Sequence, residues 1–422
     1  MIKRAFKRLW NDKRGNALVI AGAAMPLLFG SVGLATDTVQ WTLWKRQLQR
    51  SADSAAFAGS YARFQETGPS VGAAVDADLD NNEHLAMDLL AGYPQVSQPA
   101  DTATFTRAVE VKLAIQQPLT FSSMFMSAAP IITATARAAA IDTGNFCVVA
   151  LENTTASGII IQGSTNVNLG CGMISNSPSS SVSVGVNGNA HTVTAEPVAG
   201  AGGVPDINGV TGEQSYHLAQ PDPYEGKYST DIPAGVSCGN MASHVVSNTG
   251  GVTTLSPGCY SGNNNQFKFN GGTTHLQPGT YYLDNIDFIA TGGTITGSGV
   301  TIVLTGTSPG QISMNGNAVL QLSAPSADPD DPYYKLLMIQ STNATNSTTP
   351  NTINGGATSM FDGTVYFPSQ EVKFSGSSAA TTKCAMVVAR RVSFEGNSNI
   401  QNDTTGCTAS SKVKGKAIKL IA

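Results

Sequence analysis

Charge is scarce in this sequence. Only 12% of its 422 residues are Asp, Glu, Lys or Arg, about half the usual share for a soluble domain. Aromatic residues are few as well, at 7%. So little charge, with abundant Gly, Ser, Thr and Asn after position 150, argues against a helical enzyme. Disorder is disfavoured too. It calls for high net charge and few apolar residues, whereas here the net charge is −4 and 41% of residues are hydrophobic.

Chemical motifs are equally thin. HExxH, GxSxG, a P-loop and a Rossmann GxGxxG in a strand–helix setting are all missing. The five histidines (His84, His191, His217, His244 and His275) show no paired spacing and read as surface or packing residues. No CxxC or Cys/His cluster has zinc-ligand spacing, so no metal and no cofactor is expected. No basic stripe with interleaved aromatics exists, so nucleic acid is not an expected partner. The carboxylates that could do acid–base work are Asp284 with Asp287, and Asp330 with Asp331. Asp284 and Asp287 are an odd number apart and face opposite sides of a straight strand. Asp330 and Asp331 lie between prolines in a loop pattern. Both pairs read as turn carboxylates, and the chain is not expected to be an enzyme.

What is present begins with one long uncharged run. Gly15 to Thr36 contains 22 residues without a charge, and about 20 suffice to cross a bilayer core. The run is longer than the apolar region of a cleaved signal peptide, and an amphipathic stretch follows it. A retained transmembrane helix over 15–36 is therefore expected, with Pro26 in its middle. Six basic residues precede it (Lys3, Arg4, Lys7, Arg8, Lys13 and Arg14) and three soon follow (Lys45, Arg46 and Arg50). That excess puts the 1–14 tail in the cytoplasm and the remainder outside.

All six cysteines lie beyond the span: Cys147, Cys171, Cys238, Cys259, Cys384 and Cys407. Taken in order they form pairs 24, 21 and 23 residues apart. Six cysteines allow about 15 connectivities. The near-constant separation suggests sequential bridges, against the alternative of six buried thiols. Disulfides persist in oxidising compartments, in agreement with export.

Residues 37–142 read as a membrane-proximal α+β region. Helix continues past Asp37, with Leu48, Ala52, Ala55, Ala56 and Tyr61 at helical spacing. A second helical run covers 71–90, and strand patterns follow at 108–115 and 130–141. From residue 146 to 422 short β-branched runs alternate with Gly-centred turns at Gly163, Gly188, Gly271, Gly292, Gly316, Gly355, Gly376 and Gly396. Their spacings are 25, 83, 21, 24, 39, 21 and 20, and five of the seven fall between 20 and 25. Such a period marks a solenoid with one coil per repeat. The cysteine separations share it, as bridges between adjacent coils would. The fold expected is mainly β: a right-handed parallel β-helix behind the transmembrane helix and α+β region. A β-sandwich with regular hairpins is the competitor. Residues 195–240, rich in Pro, Gly, Asp and Tyr, read as a loop excursion, with shorter loops at 324–334 and 341–354. Loops of this kind are where binding surfaces sit.

The N-terminal third resembles TadG-like proteins of the Flp (tight adherence) pilus system. The likeness rests on RGN before the run, Pro26 within it, GLATD at its end, and the Gln47–Ala56 segment QLQRSADSAA. CVVALENT, CGMISNSPSSS and GTVYFPSQEVKFSG resemble the C-terminal regions of some relatives. The resemblance implies an inner-membrane protein with its bulk in the periplasm, contacting lipid and other pilus-assembly subunits or cell-wall components. No oligomeric state is implied. Two departures limit it. Processed pseudopilins of the system carry Glu at the fifth position after the cleaved Gly, where this chain has Ile20. The DxSxS metal site of A-type domains is also missing, since Asp53 starts DSAAF. The function implied is structural or scaffolding. A surface adhesin or a polysaccharide-acting β-helix enzyme is the alternative.

Overall fold

The computed structural model describes residues 13–65, 68–81, 88–188, 191–240, 244–262, 266–344, 349–354, 359–375, 379–397, 399–405, 407 and 412–421. Two compact units result: Met1–Asp142 with Ala417–Ala422, and Thr143–Lys416. Outside the described residues lie the basic positions Lys3, Arg4, Lys7 and Arg8, His84, and the turn glycines 355 and 376.

The first unit is built on one helix, α1, Lys13–Gln65, which runs through Pro26 without a break. Serine and threonine hydroxyls in its first half bond back to carbonyls one turn earlier, as Thr36 does to Val32 at 2.9 Å and Thr38 to Leu34 at 2.7 Å. Farther along, Leu48, Ala52, Ala55 and Ala56 are fully buried and pack with Val109, Val111 and Leu113. Three alanines on that face let the helix lie close to the sheet, and the bulky sheet residues fill the space. Tyr61, read from its spacing as part of this stripe, is exposed instead. The second helix, α2, is Val71–Asn81. Of the expected 71–90, residues 82–87 lie outside the described residues, and 88–90 are not helical. Strands Thr106–Gln116 and Ile131–Ala150 pair antiparallel, and Gln95–Ser97 adds a third strand that three residues of pattern could not reveal.

The second unit is a β-solenoid of about nine turns. Its strand pairings are parallel, which rules out the hairpin sandwich. Each coil contributes a strand to each of three sheets, here A, B and C in chain order. Counted by stacking, coils 1 to 7 are 238–255, 258–276, 279–298, 300–323, 336–362, 364–383 and 386–403. Coil 8 is then 146–168 and coil 9 is 172–194, followed by the partial turn 198–214. The N-terminal coils therefore stack on top of the C-terminal one. Sheet A shows this as one unbroken ladder: Cys238, Cys259, Tyr282, Val303, Ile339, Tyr366, Val388, Val149, Ile174, Ala199 and Gln214.

At the seam between coils 7 and 8 all three sheets continue. Val388 pairs with Val149, Val392 with Ile159 and Ile400 with Val167. Phe394 sits over Ile161 and stacks on Phe374 at 5.5 Å. The fully buried Glu152 of coil 8 meets Arg390 of coil 7 at 3.2 Å. Asn402 fills the same seam, accepting from the Ala385 amide (3.1 Å) and lying 3.9 and 3.7 Å from the sulfurs of Cys147 and Cys171.

The Gly-centred turns form one corner of the triangle, between sheets B and C. Gly396 pairs with Gly163 there, both at positive φ (75° and 87°). At Gly293 (φ 84°) a Cβ would come within 2.7 Å of the Gly271 and Gly272 backbone, so that corner position leaves room only for glycine. The two long spacings now have causes. The step of 39 spans insertions at 324–335 and 341–350, and the step of 83 spans the jump from coil 9 back to coil 1.

Candidate functional site

That jump builds the site. The segment expected as an excursion, 195–240, starts as solenoid, because Val198–Gly200 and Glu213–Gln214 extend sheet A. Strands of three and two residues among Gly and Pro leave no readable alternation. Likewise Asn351–Ile353, inside the expected 341–354 loop, is a strand. Only 215–237 departs, and it lies as a strap down the outer face of sheet A. Tyr224, Tyr228 and Ile232 pack on the ladder residues Tyr282, Val303, Ile339, Tyr366 and Val388.

Hydrogen bonds pin the strap coil by coil. His217 meets Thr143 at 2.9 Å, the Gln220 amide donates to Asn176 at 2.8 Å, and the Tyr366 hydroxyl donates to Asp222 at 2.8 Å. Lower down, Thr305 donates to the Thr230 carbonyl at 2.6 Å and Tyr333 to the Ser229 carbonyl at 2.9 Å. Tyr333 comes from the 324–334 loop and also bonds Tyr282 at 3.1 Å. The two segments singled out in the sequence for binding thus meet on one face.

Between strap and sheet lies a cavity of about 610 Å³, lined by Asn153, Asn176, Gln340, Tyr224, Tyr228 and Tyr366 among others. Tyr224 is 5.3 Å from Tyr228 and 5.2 Å from Tyr366, ring centre to ring centre. Burial pushes the Tyr224 and Tyr366 hydroxyls up, and for Tyr366 the Asp222 carboxylate adds to it. Both stay protonated at neutral pH. Aromatic faces beside amide and carboxylate groups suit an uncharged, hydroxyl-rich ligand.

The six cysteines form three bridges: Cys147–Cys171, Cys238–Cys259 and Cys384–Cys407, with Cα separations of 5.9, 4.4 and 5.4 Å. Cys238 and Cys259 are register partners on sheet A of coils 1 and 2.

The acidic candidates hold turns. Asp284 accepts from Asn285 at 2.7 Å and Asp287 from the Gln311 amide at 2.8 Å, either side of one corner of coil 3. Asp331 accepts from the Tyr333 amide at 2.7 Å, and the Asp330 amide donates to Asp328 at 3.0 Å. The sequence marked 195–240 as rich in Asp and Tyr without singling out Asp222, Glu225, Tyr224 or Tyr228 within it. Among the described residues no three His, Cys, Asp or Glu side chains are grouped to hold a metal.

Comparisons with known proteins complete the description. No curated protein and no solved structure matches the chain. Residues 15–76 match the family model described as putative Flp pilus-assembly TadE/G-like, so α1 and the start of α2 carry the chain's likeness to that family.

Proposed function

We propose that the chain is a membrane-anchored scaffolding component of Flp (Tad) pilus assembly, without a catalytic step of its own. The family match over 15–76 carries this reading. In it, the first half of α1 crosses the inner membrane with the N-terminus in the cytoplasm, and the solenoid stands in the periplasm. Two features support that placement. Ile20, Leu27, Leu28, Phe29 and Val32 are exposed along a helix long and apolar enough to cross a membrane. The three disulfides call for an oxidising compartment. The partners are membrane lipid and other pilus-assembly subunits or cell-wall material. The test is a deletion strain: assembled Flp pili are lost and return with the full-length chain. Normal pili in the deletion strain refute the reading.

One observation favours a second reading, surface adhesion. The tyrosine-lined cavity under the strap has the chemistry of a glycan site. A glycan array probed with the full chain and with Tyr228→Ala decides it, since binding must exist and must fall in the variant.

A further inference from the structure

A second apolar element lies beside the anchor helix. Between Lys112 and Arg137 the sequence holds 24 residues without a charge. The middle of this run leaves the sheet as a loop with a short 3₁₀ turn, Ser122–Met124. At its tip Met124 is 76% exposed, Phe125 75% and Met126 50%. Phe125 meets the Phe121 ring at 5.3 Å, yet all three large apolar side chains in succession stay half or more exposed to water.

The loop is held in place. Asp37, almost fully buried, accepts from the Phe121 amide (2.9 Å), the Ser122 amide (2.6 Å) and the Ser122 hydroxyl (2.5 Å). Thr120 adds a bond to Gln40 at 3.0 Å. Burial works against the charged Asp37 carboxylate, but the hydrogen bonds from Phe121 and Ser122 outweigh it and hold the group below its ordinary range. Phe121 lies against α1 at Gly33, where any Cβ would collide with its ring. Gly33 precedes Asp37 by four residues, roughly 6 Å along the helix axis.

We propose that residues 121–126 insert into the lipid interface at the Asp37 end of the span, as a second membrane contact latched to the first by the Asp37 carboxylate. The occupant is bilayer because the patch is continuous with the exposed apolar surface of α1 through the Gly33–Phe121 contact. The depth agrees, since interfacial elements sit about 5–10 Å into the headgroup and acyl boundary. Phenylalanine and methionine supply buried area there, while the serines between them remain at headgroup level.

This inference rests on the reading of α1 as a membrane span, and the test separates the two. All described cysteines are paired, so one introduced thiol takes one nitroxide label. Phe125→Cys, Leu28→Cys in the span and Val252→Cys on the solenoid are made in the full chain. Each is reconstituted in phosphatidylethanolamine–phosphatidylglycerol vesicles and probed with oxygen against a nickel chelate. The oxygen-to-nickel ratio at 125 is expected several-fold above that at 252 and below that at 28. A ratio at 125 equal to that at 252, with 28 in lipid, overturns the insertion alone. Equality of all three overturns insertion and span together. Asp37→Ala should return 125 toward the value at 252 and leave 28 unchanged. An unmoved value at 125 overturns the latch.

Discussion

Coils 1 to 7 and coils 8 and 9 make the same three sheets by different routes. In the first block each coil stacks on its predecessor in the chain, so the sheet A contacts are closed by loops of 21 residues (Cys238 to Cys259) up to 36 (Val303 to Ile339). At the seam Val388 meets Val149, residues 239 positions apart. The cost of closing a loop grows only slowly with its length, so a distant pair can be nearly as favourable as a near one once the surfaces match. What differs is the equipment. Beyond ordinary ladder pairing, the seam holds a buried ion contact and an amide wedged against a disulfide. Neighbouring coils have polar joints too, such as Lys373–Glu395 between coils 6 and 7 and Gln340–Gln370 between coils 5 and 6, but of the ion pairs among the described residues the one at the seam has the fully buried carboxylate.

Three changes would break or sharpen that contrast. The largest is Phe394→Ala, which empties a fully buried ring position at the seam, for a loss of about 4 kcal/mol. Phe288→Ala, between the rings of Phe267 and Phe269 inside the first block, serves as its match. Similar losses in one shared denaturation transition would show the seam to be an ordinary interface. Two transitions for Phe394→Ala alone would mark it as the plane of weakness. Next comes Arg390→Ala, which strands Glu152 inside coil 8 without its cation, for about 3 kcal/mol. Urea midpoints measure it, and hydrogen exchange should rise first in coils 8 and 9.

The smallest effect is on pH. Burial lowers the His217 pKa from its ordinary 6.5, although the Leu218 carbonyl partly opposes this. The unfolded chain therefore takes up the proton first. Stability from this contact is complete above pH 6.5 and declines as pH falls below it. His217→Gln should flatten that slope in thermal melts, with a change well under either of the others.

Much of the fold was legible because it is periodic. Gly163, Gly293 and Gly396 mark a corner whose positive φ favours glycine, and such a constraint is written locally. The cysteine spacing carried the same period for the same reason. Coil order was not legible, since Val149 would pair as readily with any β-branched neighbour at the right height. The excursion was legible, but its course as a strap was not, because it follows sheet A's outer face, a surface that exists only after the coils stack. Among the acids the sequence offered, Asp284 and Asp287 were visible, but the Gln311 amide that occupies Asp287 is a neighbour only in three dimensions.

The out-of-order stacking also decides how the solenoid bears tension. Its unit begins at Thr143 and ends at Lys416. Thr143 leads straight into coil 8, and Lys416 exchanges hydrogen bonds with Gln220 while Gly415 lies against Phe146 at the start of that coil. A pull on the two ends therefore enters at the seam. The load there crosses parallel strands in shear, with many bonds strained at once, instead of peeling coils from one tip. Coils 1 to 6 stand outside the path between those two ends.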